Sequence, residues 1–347
     1  MSDARQIRIE PFTTHDTGDW DAYVNGHPRG TVFHLTAWKQ VVEKTFGHNS
    51  HYFLARCGQE ISGVFPVFEI KSMLFGHSFI SVPFAEIGGI LADDTAVASG
   101  LLETVSLLSQ NQRAACVELR NTTAMPALGT KDLYYNFSKE IFPDHDENLK
   151  AIPRKSRAMV RKAIKNGLVS ETGRHLLPEF YDLLAVNFHR LGTPVFPKHL
   201  FESLLDGFGA NAGILLVRTP HGAPAAGVLY LMYKNRMMPY YAGSDFSFRQ
   251  MGPNDFMYWE LMRLAVEKGL QVFDYGRSKI GTGSFRFKKH WGFEPTPLAY
   301  QYVLNQGHEM PNLSPANPKY QRKIELWKKM PLGLTRIMGP WISKYLA

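Results

Sequence analysis

The chain has 347 residues, 44% hydrophobic and 20% charged, which excludes a disordered or fibrous polymer and favours two globular domains. Its formal net charge of +8 favours anionic partners: phosphates, nucleic acid or an acidic membrane surface. The two cysteines, Cys57 and Cys116, sit in apolar strand-like runs without CxxC or Cys/His spacing, so reduced core thiols are expected, and no metal site.

The N-terminal MSDARQIRIEPF lacks the apolar stretch of a signal peptide, and no apolar run approaches the roughly 18 residues of a spanning helix, so a cytoplasmic protein is expected. Residues Ile7–Phe12 alternate as a strand, and Asp16–Asn25 reads as a short helix. A helix from Thr36 to Phe46 is expected to be capped by Thr36 and stopped by Gly47. Strands Tyr52–Cys57 and Ile61–Glu69 form a hairpin turning at Gly58. Short strands follow at Phe79–Val82 and Ile87–Leu91, then a helix over Asp94–Asn111 with Leu101, Val105 and Leu108 on one face. Ala115–Leu119 and Tyr134–Ile141 read as further strands of the first half.

The second half repeats this order. A strand at Val169–Thr172 precedes helices at Pro178–Arg190 and Pro197–Gly207. A meander of Gly213–Arg218, Ala225–Tyr233 and Met238–Ala242 leads to a helix over Asn254–Lys268 and a strand over Val272–Tyr275. The expected class is therefore α/β (α+β): two tandem domains of mixed, largely antiparallel sheets flanked by helices. Expected boundaries are 1–150, 151–310 and a basic amphipathic tail over 311–347.

Two basic stretches stand out. Lys150 to Lys165 holds seven basic residues and no acid, with Arg154, Arg157, Arg161 and Lys165 in one helical stripe and Val160, Ala163 and Ile164 roughly opposite. This is either a solvated face or a row of cations for anionic ligand groups. The tail from Lys319 to Ala347 mixes seven basic residues with Trp327, Ile337 and Trp341. The favoured reading is that it wraps the protein and fills a groove; the other is that it lies at a membrane surface.

Chemistry concentrates between Met238 and Pro295, where polar groups gather at element ends. Arg249-Gln250-Met251-Gly252-Pro253-Asn254 opens a helix, where backbone N–H groups can receive a pyrophosphate. It partly matches the phosphate loop of the GNAT acetyltransferases, with Asn254 in place of a small residue. The segment Phe285-Arg286-Phe287-Lys288-Lys289-His290-Trp291-Gly292-Phe293 is similar to the end of such domains, with Lys288 where a leaving-group tyrosine often stands.

Together with Tyr241-Ala242-Gly243-Ser244, Trp259-Glu260 and Asp274-Tyr275-Gly276, these residues resemble the Fem family of aminoacyltransferases. Fem proteins are tandem GNAT chains that attach amino acids to peptidoglycan precursor peptides. The likeness is greatest to FemAB-type proteins of Gram-negative exosortase and exopolysaccharide systems. It implies that Lys288 stabilises charge on the acyl carbonyl or leaving group, and it makes Asp274 a second catalytic candidate: Asp274 and Arg277, at a strand end, either form an ion pair or position an amine and a phosphate. It implies substrate contacts from Tyr241, Arg277, Arg154, Arg157 and Arg161, and donor contacts from Arg249, Gly252 and Asn254. Asn254 alternatively caps its helix.

The expected function is acyl or aminoacyl transfer to an amine of a cell-envelope, peptidoglycan or exopolysaccharide precursor. No permanently bound cofactor is implied. Acyl-CoA or aminoacyl-tRNA would be the co-substrate, and a phosphorylated envelope or saccharide precursor the partner. A peripheral contact at the inner face of the inner membrane is the further partner considered. The alternative function is a non-catalytic GNAT-fold protein holding an anionic lipid-linked saccharide or a membrane surface.

Overall fold

Half-buried alternation makes Ile7–Pro11 the first strand, β1, in a computed structural model that describes residues 7–73, 76–126, 128–310 and 318–346. Helices α1 (Thr17–Gly26) and α2 (Thr36–Phe46) follow. Gly47 ends α2 in the left-handed conformation (φ 65°) that glycine adopts without strain. Thr36 does not cap α2. Its amide and hydroxyl donate to the Asp21 carboxylate at 2.8 and 2.7 Å, and Leu35 holds the cap position.

After β2 (Asn49–Ser50) comes the expected hairpin, β3 (Phe53–Cys57) and β4 (Glu60–Phe65). The strand expected over Ile61–Glu69 breaks near Pro66, which has no N–H for a ladder, and β5 (Phe68–Ser72) joins a different sheet. β6 (Gly76–Ile80) and β7 (Leu91–Ala92) follow. The strand expected at Ile87–Leu91 shrinks to β7 because the Ile90 amide donates to the Asn121 side chain instead of a ladder. Asp94 caps α3 (Thr95–Asn111), accepting from the Val97 amide at 2.9 Å. Then come β8 (Cys116–Asn121), β9 (Gly129–Lys131) and β10 (Tyr134–Glu140).

The second half runs α4 (His145–Ala151), α5 (Arg154–Lys165), β11 (Val169–Thr172), α6 (Leu177–Leu191) and α7 (Lys198–Phe208). The meander is β12 (Ala212–Arg218), β13 (Pro224–Tyr233) and β14 (Arg236–Ser244). It leads to α8 (Pro253–Glu267), β15 (Val272–Lys279), α9 (Gly283–His290), β16 (Pro295–Pro297) and β17 (Ala299–Leu304). Helices α10 (Pro318–Lys329) and α11 (Leu332–Ser343) close the chain. Residues 311–317 of the expected tail lie outside the described residues.

Two compact units result: Met1–Tyr134 with Leu298–Asn312 and Lys344–Ala347, and Tyr135–Pro297 with Leu313–Ser343. In the first unit one sheet has the order β1-β3-β4-β7 and the other β2-β5-β6-β8-β17-β9. Its core gathers Phe65, Phe79, Leu101, Val105, Val117 and Leu119. Cys116 is buried and Cys57 only half-buried; both thiols are free.

The second unit holds one seven-stranded sheet, β11-β12-β13-β14-β15-β10-β16. β10, expected in the first half, lies here between β15 and β16. Alternation along β13 separates two faces. Gly227 faces Phe180 and Leu183 of α6, while Ala226 and Val228 share a core with Met257 and Leu261 of α8. α10 and α11 pack on α6, with Trp327 buried and His189 Nε2 2.9 Å from the Met330 carbonyl. Each unit is a mixed, largely antiparallel α/β structure, with parallel pairs at β6–β8 and β14–β15.

Candidate active site where two strands part

β14 and β15 pair in parallel at two positions, Arg236 with Val272 and Met237 with Phe273. Both strands then run on, to Ser244 and Lys279, without a ladder between them among the described residues. A bulge accompanies the parting. Leu229 faces Tyr241 and Tyr230 faces Pro239, so Tyr240 is the extra residue that bends and twists β14. The result is a wedge of two strand edges with no ladder between them among the described residues.

Asp274 is the first residue of β15 past the last pair. Asn136 Nδ2 and the Gly276 amide donate to its Oδ1 at 3.1 and 3.0 Å, and Arg236 Nη1 lies 3.5 Å from its Oδ2. Burial pushes its carboxyl up, against the lowering pull of the Gly276 N–H, Arg236, Asn136 and Lys288. The strand does not end at Tyr275 as expected. β15 continues to Lys279, with a left-handed residue at Gly276 (φ 66°).

That glycine shapes the cation site. Successive carbonyls of a regular strand point to opposite edges. With Gly276 left-handed, the carbonyls of Gly276 and Arg277 both accept from Lys288 Nζ, at 2.9 and 3.0 Å. Lys288 is 8% exposed, and its ammonium lies 5.5 Å from the Phe137 ring centroid. Thr282 starts α9 by accepting from the Phe285 amide. Phe287, Trp291, Tyr258, Tyr275 and Phe293 then form an aromatic floor. The Trp291 indole donates to Asp255 at 2.9 Å.

Across the wedge, Tyr241 of β14 is half-buried, edge-on to Phe196 and Phe201 at 5.4 and 5.3 Å. Arg277 is half-buried on β15. So β15 gathers Asp274 and the Arg277 carbonyl about Lys288, and Tyr241 stands on the other parted strand, β14.

The remaining candidates form a second group around α8 and α5. Exposed Arg249 stacks over Phe246 at 4.2 Å. Gly252 (φ 80°) is the N-cap of α8, and a Cβ there would meet the Met159 carbonyl at 3.2 Å and Ala163 at 3.5 Å. Close packing on α5 therefore requires this glycine. Asn254 is not the cap; it is exposed at the second position of α8.

On α5 the buried residues are Ser156, Val160 and Ala163, whereas Ile164, expected to pack, is 50% exposed. Ser156 joins this stripe by donating to the His290 carbonyl at 2.9 Å. Arg154 and Arg161 are exposed, and Arg157 donates to the Lys150 carbonyl. A groove beside the start of α5 is lined by Arg154, Lys155, Asp255, Lys289 and His290.

Sequence reasoning missed Asn136, Arg236 and the role of Gly276. Asn136 lies on β10, 138 positions before its partner Asp274, and no local pattern marks it. No group of three metal-ligating side chains occurs among the described residues.

An acetyltransferase (GNAT) domain model matches residues 154–289, a span that includes every candidate residue from Arg154 to Lys288. The chain is 21% identical over 415 aligned positions to the lipid II:glycine glycyltransferase of Staphylococcus aureus (strain USA300), covering 88% of this chain and 97% of the relative. The Staphylococcus haemolyticus protein of the same name is 20% identical over the same shares. The crystal structure of FemX superposes with a TM-score of 0.69 at 17% identity, over 91% of this chain and 99% of FemX. The chain is similar to Fem proteins in sequence and in fold. A tandem GNAT protein from the clavulanic acid biosynthesis pathway also shares the fold, at TM-score 0.57 and 9% identity, over 88% of this chain and all of that one. The parted strands and α9 lie in the second unit, which holds the span matched by the GNAT domain model.

Proposed function

We propose that this Fem-like chain transfers an activated acyl or aminoacyl group to an amine of a cell-envelope precursor. The observation that carries the reading is the Lys288 ammonium, buried and held on two carbonyls of the diverging strand β15. An acyl group laid in the wedge would have its carbonyl beside this cation. The amine nitrogen attacks the carbonyl carbon, and negative charge builds on the oxygen. A fixed positive charge in a site sheltered from water stabilises that oxyanion. The C–N bond forms, the C–O or C–S bond to the donor breaks, and the proton from nitrogen passes through water to the departing oxygen or sulfur. Asp274, tied to Asn136 and the Gly276 amide, fixes the strand geometry that holds Lys288.

The donor is either an acyl-CoA or an aminoacyl-tRNA. Packing of Gly252 against α5 supplies a structural reason for that glycine and so weakens the CoA pyrophosphate reading. The similarity to glycyltransferases supports the aminoacyl ester. In this reading Arg249 and Asn254 contact the donor, and Tyr241 and Arg277 contact the acceptor. Arg154, Arg157 and Arg161 hold phosphates of a peptidoglycan or exopolysaccharide precursor. The same reading places the protein in the cytoplasm, at the inner face of the inner membrane.

Native mass spectrometry of protein purified from its host would identify a retained CoA or tRNA species. Turnover of that donor by the wild type and by Lys288→Met then tests the site. A loss on the order of 10²–10³-fold is expected, the range for removing one oxyanion donor. Unchanged turnover would overturn the role of Lys288.

A further inference from the structure

Helix α11 is packed inside out. Its buried residues are small or polar: Thr335, Gly339 and Ser343, at spacings of one turn. Gly339 lies so close to Val195 that a Cβ would meet the Val195 backbone at 2.9 and 3.0 Å. The large apolar residues share the outer face. Leu334, Ile337, Met338 and Trp341 follow the i, i+3, i+4, i+7 pattern of one stripe, and are 44, 70, 39 and 78% exposed. On α10, Leu326 is 64% exposed as well. A helix of a globular protein normally buries such a stripe, and a contiguous exposed apolar face marks an interaction surface.

The charge around the stripe selects the partner. From Lys319 to Ala347 there are seven basic residues and one acid. That acid, Glu325, pairs with Lys328 at 3.0 Å, and Arg336 pairs with Asp182. Arg322, Lys323 and Lys329 are exposed and make no ion pair among the described residues. A second copy seated on this face would bring two net-basic tails together. An anionic bilayer suits both features: aliphatic and indole side chains settle at the boundary of headgroups and acyl chains, and the cations meet lipid phosphates.

We propose that α11, with the cations of α10, docks this chain on the surface of an anionic phospholipid bilayer. With 12 residues α11 lies on the membrane and does not cross it, since crossing needs about 20. The inference rests on the packing of the tail and stands apart from the transfer reaction.

The test is co-sedimentation of the full chain with phosphatidylglycerol–phosphatidylcholine vesicles and with phosphatidylcholine vesicles. Preferential binding to the mixed vesicles, weakened by salt, is expected. The double variant Ile337→Gln, Trp341→Gln changes two exposed side chains and should lower partitioning about tenfold or more. Quenching of tryptophan emission by brominated acyl chains should fall in Trp341→Phe while binding persists. Absence of binding to the mixed vesicles, or binding that the double variant leaves unchanged, would overturn the proposal. So would a concentration-dependent dimer that the double variant abolishes, because the face would then serve a second copy.

Discussion

Lys288 Nζ lies 2.9 Å from the Gly276 carbonyl, and it reaches the next carbonyl as well because Gly276 is left-handed at φ 66°. Strand and cation are one arrangement: the glycine turns two carbonyls to the same side, and α9 brings the ammonium to them.

Gly276→Ala separates these parts. An L-residue in the left-handed region costs about 1–2 kcal/mol. The variant either bears that strain or relaxes toward a regular strand and turns one carbonyl away. Urea unfolding should show a loss of roughly this size, and transfer should fall further than stability does. Full activity in a destabilised variant would show that the two-carbonyl cradle is dispensable.

Lys288→Met tests the same cradle from the other side. The buried Gly276 carbonyl and the part-buried Arg277 carbonyl lose their shared donor, at about 1–3 kcal/mol for a buried unsatisfied group. Lys288→Arg should not restore activity, because a planar guanidinium cannot occupy the compact position of an ammonium. Calorimetry of both variants, beside their turnover, separates folding from chemistry.

Asp274 gives a pH signature. Burial raises its carboxyl above the ordinary value, so the folded chain holds this proton to higher pH than the unfolded chain. Its contribution to stability is complete below the unfolded value and is lost as pH rises through the folded one. Asp255, raised by burial, acts in the same direction. Asp274→Asn removes one such loss. Relative to wild type, its urea midpoint should therefore improve between about pH 4 and pH 7. A variant-to-wild-type difference that stays constant across that range would contradict the assignment.

Gly243→Ala probes the packing behind the wedge. A Cβ on Gly243 would meet the Leu184 backbone at 3.0 and 3.1 Å, so α6 would be pushed off β14. Overpacking of this kind costs about 1–3 kcal/mol. A lowered melting temperature is expected; an unchanged one would mean that α6 shifts freely.

Much of the fold was legible locally. Gly47 after α2, the Gly58 hairpin and the meander from Ala212 to Ser244 follow from glycine geometry and two-residue alternation. Caps were less legible. Thr36 and Asn254 have the right chemistry beside a helix start, yet Asp21 draws Thr36 away and Gly252 takes the cap position of α8. Of the candidate site, Lys288 and Asp274 were readable from sequence, whereas the carbonyls that hold Lys288 were not.

Side-chain period, turn residues and the charge pattern, all carried by neighbours in the chain, by themselves determined the kinds of elements and the α/β class, while a resemblance pointed to the run from Tyr241 to Lys288 as the candidate site. Pairing between distant segments was decided only by tertiary structure. β17 enters the first unit's sheet between β8 and β9, and β10 enters the second unit's sheet beside β15, carrying Asn136 to Asp274. The same holds for α11. Its stripe of apolar residues is plain in the sequence, but only packing against Val195 sends the small residues inward and leaves Trp341 in solvent. Periodicity tells which residues share a face; the shape of the surface they meet decides which face is buried.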